Sequence, residues 1–152
     1  ESSRLVLLSL GRSRLGGSCL AQVYEQLGDD CPDVEDAAAF KSMLEFLANA
    51  NRDGLIQALH DRSDGGAIVT LLEMAFASRL GLYVTVDAAV DLLGTLFNEE
   101  IGVIVKVRDR DLPNFIASCP VKCTSVARIR NDEPIRVFHG DALVLESDRA
   151  SF

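Results

Sequence analysis

The chain has no tryptophan and only two tyrosines, two histidines, two methionines and four prolines in 152 residues. With four prolines and eleven glycines, neither a collagen repeat nor a low-complexity linker fits. No apolar run approaches the ~20 residues that a membrane-spanning helix needs, so no membrane partner is expected. Basic residues are short as well: 15 Lys and Arg stand against 23 Asp and Glu, a formal charge of −8. Nucleic-acid binding ordinarily shows a basic face. Here the nearest thing is the scattered Arg128, Arg130 and Arg136, so no nucleic-acid partner is expected. Four cysteines (Cys19, Cys31, Cys119 and Cys123) do not make a dense disulfide framework. Cys119 and Cys123 are close, but Cys19, Cys31, His60 and His139 are isolated, which disfavours zinc. Reduced thiols in a cytoplasmic chain are the expectation. The start, Glu-Ser-Ser-Arg, has no signal-peptide pattern and no Met, which suits an excised piece of a longer polypeptide.

What is present is an average globular composition, 48% hydrophobic and 25% charged. The length suits one domain over residues 1–152. Leu5 to Leu10 is a short apolar run without alternation, as in a buried strand. Ser18 is placed to cap a helix running to about Leu27, with Gly28 as its stop. Asp33 opens a longer helix to about Asn51. Its apolar residues Ala37, Phe40, Met43, Leu44, Leu47 and Ala48 recur at three-to-four spacing. Leu55 to Leu59 reads as a strand, and a helix with Ile68, Leu71, Leu72, Ala75 and Phe76 on one face follows up to Gly81. Leu82 to Val86 and Gly102 to Val107 read as strands, with a short helix from Ala88 to Leu93 between them. Asp111 to Ser118 tolerates Pro113 in a first helical turn. Two or three strands follow, at Thr124 to Ile129, Ile135 to His139 and Ala142 to Leu145, with turns at Asn131-Asp132 and Gly140-Asp141. The order predicts an α+β fold, a mixed sheet with helices packed mainly on one face.

The segment His60-Asp61-Arg62-Ser63-Asp64-Gly65-Gly66 is the most unusual. A strand ends, carboxylates and a hydroxyl follow, two glycines allow positive φ, and a helix begins. A helix start attracts anions such as phosphate. Asp61 and Asp64 are suited to Mg²⁺, which prefers one or two carboxylates plus substrate phosphates, and Ser63 to a phosphate or ribose. Ordinary roles compete: Ser63 or Asp64 as a helix cap, Asp61 as a turn residue. No Gly-x-x-x-x-Gly-Lys loop is present. In Leu96-Phe97-Asn98-Glu99-Glu100, adjacent carboxylates do not share a helix face, and locally a solvated turn is favoured. Neither histidine has a sequence partner, so structural roles are favoured for both, and no residue is assigned as catalytic.

Together these segments resemble a known family. They are Leu15-Gly16-Gly17-Ser18 with Leu20-Ala21-Gln22-Val23-Tyr24 and Gln26-Leu27-Gly28-Asp29, then Pro32-Asp33-Val34, then the His60–Gly66 loop leading to Leu72-Glu73-Met74-Ala75-Phe76-Ala77, and last Leu96–Glu100 with Gly102. In this order they resemble phosphoribosylformylglycinamidine (FGAM) synthase of the large single-chain type, in its C-terminal AIR-synthetase-related domain preceding the glutaminase domain. The likeness covers nearly the whole chain and weakens after about Val107. It implies an AIR synthetase C-terminal-domain-like fold and a part in the ATP- and glutamine-dependent conversion of FGAR to FGAM in de novo purine biosynthesis. By the resemblance Asp61 is a Mg²⁺ ligand, Ser63 contacts ATP or ADP, and Glu99 lies on the substrate side. The implied partners are companion ATP-binding and glutaminase domains. Neither those domains nor a glutaminase Cys-His-Glu centre is present in this sequence, so the isolated piece is expected to be inactive. The alternatives are a stand-alone, non-catalytic interaction or dimerisation module, and a related enzyme acting on thiamine phosphate or selenide.

Overall fold

The computed structural model describes residues 2–132 and 134–152. Its elements are β1 (Ser3–Ser9), α1 (Cys19–Val23), α2 (Ala37–Arg52), β2 (Ile56–Asp61), α3 (Gly66–Ser78), β3 (Gly81–Val86), α4 (Leu92–Phe97), β4 (Gly102–Arg108), α5 (Leu112–Ser118), β5 (Lys122–Arg130), β6 (Pro134–His139) and β7 (Ala142–Asp148). The seven strands form one sheet in the order β2-β4-β1-β5-β3-β6-β7. Among the described residues β3 and β6 pair in parallel and the other neighbouring strands antiparallel. The expected α+β class and mixed sheet are therefore what is found. Among the described residues no helix is long and apolar enough to cross a membrane.

The expectation that helices pack mainly on one face needs correction. Successive side chains of a strand point to opposite faces. Along β1, Leu5 and Leu7 pack with Ala67, Ile68, Leu71 and Ala75 of α3 and Leu96 of α4. Val6 and Leu8 pack with Met43, Leu47 and Ala50 of α2 and Phe115 of α5. Strand β4 divides likewise, Ile104 on the α3 side and Val103, Val105 and Val107 on the α2 side. The unbroken apolar runs of β1 and β4 are the reason: a strand apolar on both faces needs a cover on both.

Three helix boundaries also differ from the sequence reading. Helix α1 ends at Val23 instead of near Leu27, and Glu25 turns away with φ +55°. It buries no residue, so packing does not extend it. Helix α2 begins after Asp36, whose carboxylate accepts the Ala39 N–H at 2.8 Å, and not at Asp33. Helix α4 runs from Leu92, because Asp91 accepts the Leu93 and Gly94 N–H groups; Asp87 instead closes a turn by accepting the Ala89 N–H.

Candidate functional site

Strand β2 delivers the Asp61–Gly66 turn to the start of α3, and β4 begins just after the Asn98–Ile101 turn. The two turns interlock. Gly66 has φ +74°, and a Cβ there would stand 2.7 Å from the Leu96 carbonyl oxygen and 2.8 Å from that of Asn98. Only glycine fits so close an approach in that conformation. The Gly65 N–H donates to Glu99 Oε1 at 2.8 Å, and the Cys19 N–H at the start of α1 donates to the same oxygen at 2.8 Å. Glu99 thus sits between two helix starts, a favourable place for a negative charge.

Asp64, Glu99 and Cys19 converge here, with their ligand atoms within 4.8 Å of one another. Two carboxylate oxygens and a thiol could hold a divalent cation. The oxygens suit a hard ion such as Mg²⁺ and the sulfur does not. Burial, then the neighbouring Glu99, pushes the Cys19 thiol above its usual range, which keeps it protonated. Asp61 ends β2 with its side chain exposed, outside this group. Ser63 is exposed in the turn. The competing cap role fails for Ser63 and Asp64: Gly65 holds the N-cap position of α3, and no side chain caps it. Asp64 of one turn and Glu99 of the other are brought together; Asp61 and Ser63 lie outside the group.

Beneath lies a charged cluster that the sequence reading missed. Glu100 is 1% exposed, the opposite of a solvated turn. Its carboxylate takes Arg14 Nε at 2.6 Å and Arg14 Nη2 at 2.8 Å, together with the Arg12 and Arg14 N–H groups at 3.1 and 3.2 Å. Burial would raise this carboxyl; the Arg14 guanidinium and the two amides outweigh it and hold it at about 2. The bond to Glu100 raises Arg14 against its own burial. Arg62, also buried, donates to the Glu100 carbonyl at 2.6 Å, the Ile101 carbonyl at 3.1 Å and Ser9 Oγ at 2.9 Å. Burial lowers its guanidinium to about 10, partly offset by Glu100. Asn98 donates to the Gly94 carbonyl at 2.5 Å and accepts the Glu100 N–H at 3.3 Å. Arg62 lies inside the His60–Gly66 motif and Glu100 beside Glu99, so proximity to a motif was the available signal. Arg14 likewise adjoins the Leu15–Ser18 motif, but nothing local pairs it with Glu100.

His60 lies 3.0 Å from Glu73 of α3, a partner its sequence neighbourhood did not reveal, and 3.4 Å from the adjacent Asp61. A cleft of 230 Å³ opens on the α3 side of the sheet, lined in part by Arg62, Leu96, Asn98 and Lys122.

Comparison with known proteins bears on the family and the fold. Residues 3–140 match the family described as AIR synthase related protein, C-terminal domain. The phosphoribosylformylglycinamidine synthase of Schizosaccharomyces pombe is 45% identical over 114 residues, which is 73% of this chain and 9% of that protein. The resemblance read from the motifs is thus borne out. Two solved structures of Thermotoga maritima PurL share the fold. The one complexed with ATP has a TM-score of 0.77 at 18% identity and covers 97% of this chain and 25% of that one. The one complexed with FGAR has a TM-score of 0.80 at 18% identity, over 98% and 27%. The hydrogenase maturation protein HypE of E. coli has a TM-score of 0.60 at 15% identity, over 96% and 48%. The chain spans a small part of the curated relative's length. With most of its described residues inside the family match, the chain belongs to the AIR synthase related protein family, as a C-terminal domain of that kind.

Proposed function

We propose that this chain is one domain, residues 1–152, of a cytoplasmic FGAM synthase that converts FGAR to FGAM with ATP and glutamine in de novo purine biosynthesis. The observation that carries this reading is the 45% identity over 114 residues with the S. pombe enzyme. The domain contributes one wall of a Mg²⁺–nucleotide site and has no catalytic residue of its own. Companion ATP-binding and glutaminase domains supply the remaining contacts. The corner at the start of α3 supports the site. Asp61, exposed at the end of β2 outside the Asp64–Glu99–Cys19 group, would turn toward Asp64 to share the cation, Ser63 would contact ATP or ADP, and Glu99, beside Asp64, would face the substrate side. A Mg²⁺ ion there would neutralise the two carboxylates and bring phosphate oxygens against the N–H groups of the helix start. Metal-free, the same corner presents negative charge to an incoming phosphate. Glu99 already occupies the Gly65 N–H, and Asp64 stands beside it.

The test uses the full-length polypeptide. Nucleotide and magnesium carried through purification are extracted and quantified for the native protein and for Asp61→Ala, Asp64→Ala and Ser63→Ala. Loss of both from the carboxylate variants, and of nucleotide from the Ser63 variant, is expected. Full retention of nucleotide and magnesium by Asp61→Ala would sink its assignment as a ligand.

A further inference from the structure

Three segments distant in sequence meet at one turn, where Arg14 holds the buried Glu100 carboxylate and Arg62 holds the backbone carbonyls. Residues 9–19 reach Glu100 through Arg14 and the Arg12 amide, and reach Glu99 through the Cys19 amide. Residues 61–66 reach the same turn through Arg62, whose N–H donates to the Gly102 carbonyl and whose guanidinium grips the Glu100 and Ile101 carbonyls. The fit is tight. A Cβ at Gly11 would stand 2.0 Å from Glu100 Oε2, and one at Gly102 would stand 3.0 Å from the Arg62 guanidinium. Arg14, Arg62 and Glu100 are exposed by only 7%, 6% and 1%.

Burying three charges is an uneconomical way to stabilise a fold. Desolvation offsets much of the attraction, and well-packed apolar replacements of such pairs are often neutral or stabilising. A charged cluster does supply directional geometry, since a forked guanidinium fixes both the distance and the plane of its partner. Here the fixed partner is the residue next to Glu99, and Arg62 sits two residues before Asp64. We infer that Glu100, clamped by Arg14 and Arg62, is a positioning residue that sets the separation of Asp64 and Glu99 at the cation–phosphate corner. This rests on the proposed nucleotide site. Its content is that the charged cluster serves the geometry of that site more than the stability of the fold.

The experiment uses the full-length polypeptide with Mn²⁺ and ADP as probes. Binding of Mn²⁺–ADP is followed by the electron paramagnetic resonance of free Mn²⁺, and each variant's thermal midpoint is recorded alongside. The paired replacement Arg14→Met/Glu100→Leu removes both ions of the Arg14–Glu100 pair and leaves Arg62 held by the residue-100 and Ile101 carbonyls and Ser9 Oγ. Arg62→Lys keeps its charge and loses the fork. Both are expected to unfold cooperatively within a few degrees of the native protein while Mn²⁺–ADP affinity falls at least tenfold, with a changed preference for Mn²⁺ over Mg²⁺. Native affinity in either cooperatively folding variant overturns the inference. Should the paired replacement fail to fold, the cluster serves stability and the inference is likewise overturned. A native protein that binds no Mn²⁺–ADP removes the nucleotide site itself. Binding by the native protein and the variants alike removes only the positioning role.

Discussion

Glu99 and Glu100 are neighbours with opposite surroundings. Successive residues of an extended turn project to opposite sides of the backbone, so one carboxylate reaches the helix starts while the other enters the interior. The interior one responds to acid in a defined direction. Its ordinary value near 4.5 falls to about 2 in the folded chain, so the native state holds its charge where the unfolded chain has taken up a proton. A group depressed on folding contributes stability that is complete above its unfolded value and is lost as pH falls through its folded value. The thermal midpoint of the native chain should therefore exceed that of Glu100→Gln by an amount that is constant above about pH 5 and shrinks between pH 4.5 and about 2. Melting curves recorded by circular dichroism across that range check this. A midpoint difference unchanged down to pH 2 would show that the Arg14 pair does not hold the carboxyl down. The sequence showed two adjacent acids and the local rule placed both in solvent. The rule failed for Glu100 because Arg14, 86 residues away, supplies its partner.

At the scale of elements, helix starts follow whichever carboxylate can reach the free amides. The sequence holds Asp33, Glu35 and Asp36 together, and composition cannot choose among them. Asp36 wins because its side chain accepts from Ala39, three residues on, while Asp33 bends back onto the adjacent Val34 amide. Asp36→Ala should cost about 1 kcal/mol, the usual size of a lost N-cap. Asp33→Ala should cost no cap energy. Urea unfolding of the two variants compares them directly, and equal losses would contradict the assignment of the cap. Helix α3 shows the converse case. Its Gly65–Gly66 start carries no side-chain cap, and the Gly65 amide goes to Glu99 from another turn. A helix that begins on glycines is not self-capped, and here a carboxylate from another turn takes the free amide.

For the whole molecule, the covered and uncovered surfaces differ sharply. Both faces of β1 and β4 are sealed by helices, yet α1 buries nothing and leaves Val23, Tyr24 and Leu27 exposed, with Leu93 exposed nearby across a shared groove. Apolar side chains grouped on a surface favour association. The 152-residue chain should self-associate at high concentration. Tyr24→Ser/Leu27→Ser should weaken this without lowering the thermal midpoint, because neither side chain belongs to a core. Sedimentation velocity across a concentration series measures the first effect and calorimetry the second. Unchanged association in the double variant would place the contact elsewhere.

The sequence by itself determined the order of all seven strands and five helices. Local periodicity and turn residues report where an element lies, though the ends of α1, α2 and α4 were set by caps and packing that they do not show. It also marked the 61–66 turn, because carboxylates, a hydroxyl and paired glycines between a strand and a helix are a short-range pattern. Only the tertiary structure decided that helices cover both faces, that Asp64 lies with Glu99 and Cys19 while Asp61 lies outside, and that Arg14, Arg62 and Glu100 form one buried cluster. Each of these depends on which distant segments the sheet order brings together. The energy of a buried charge depends on a partner that proximity along the chain does not reveal.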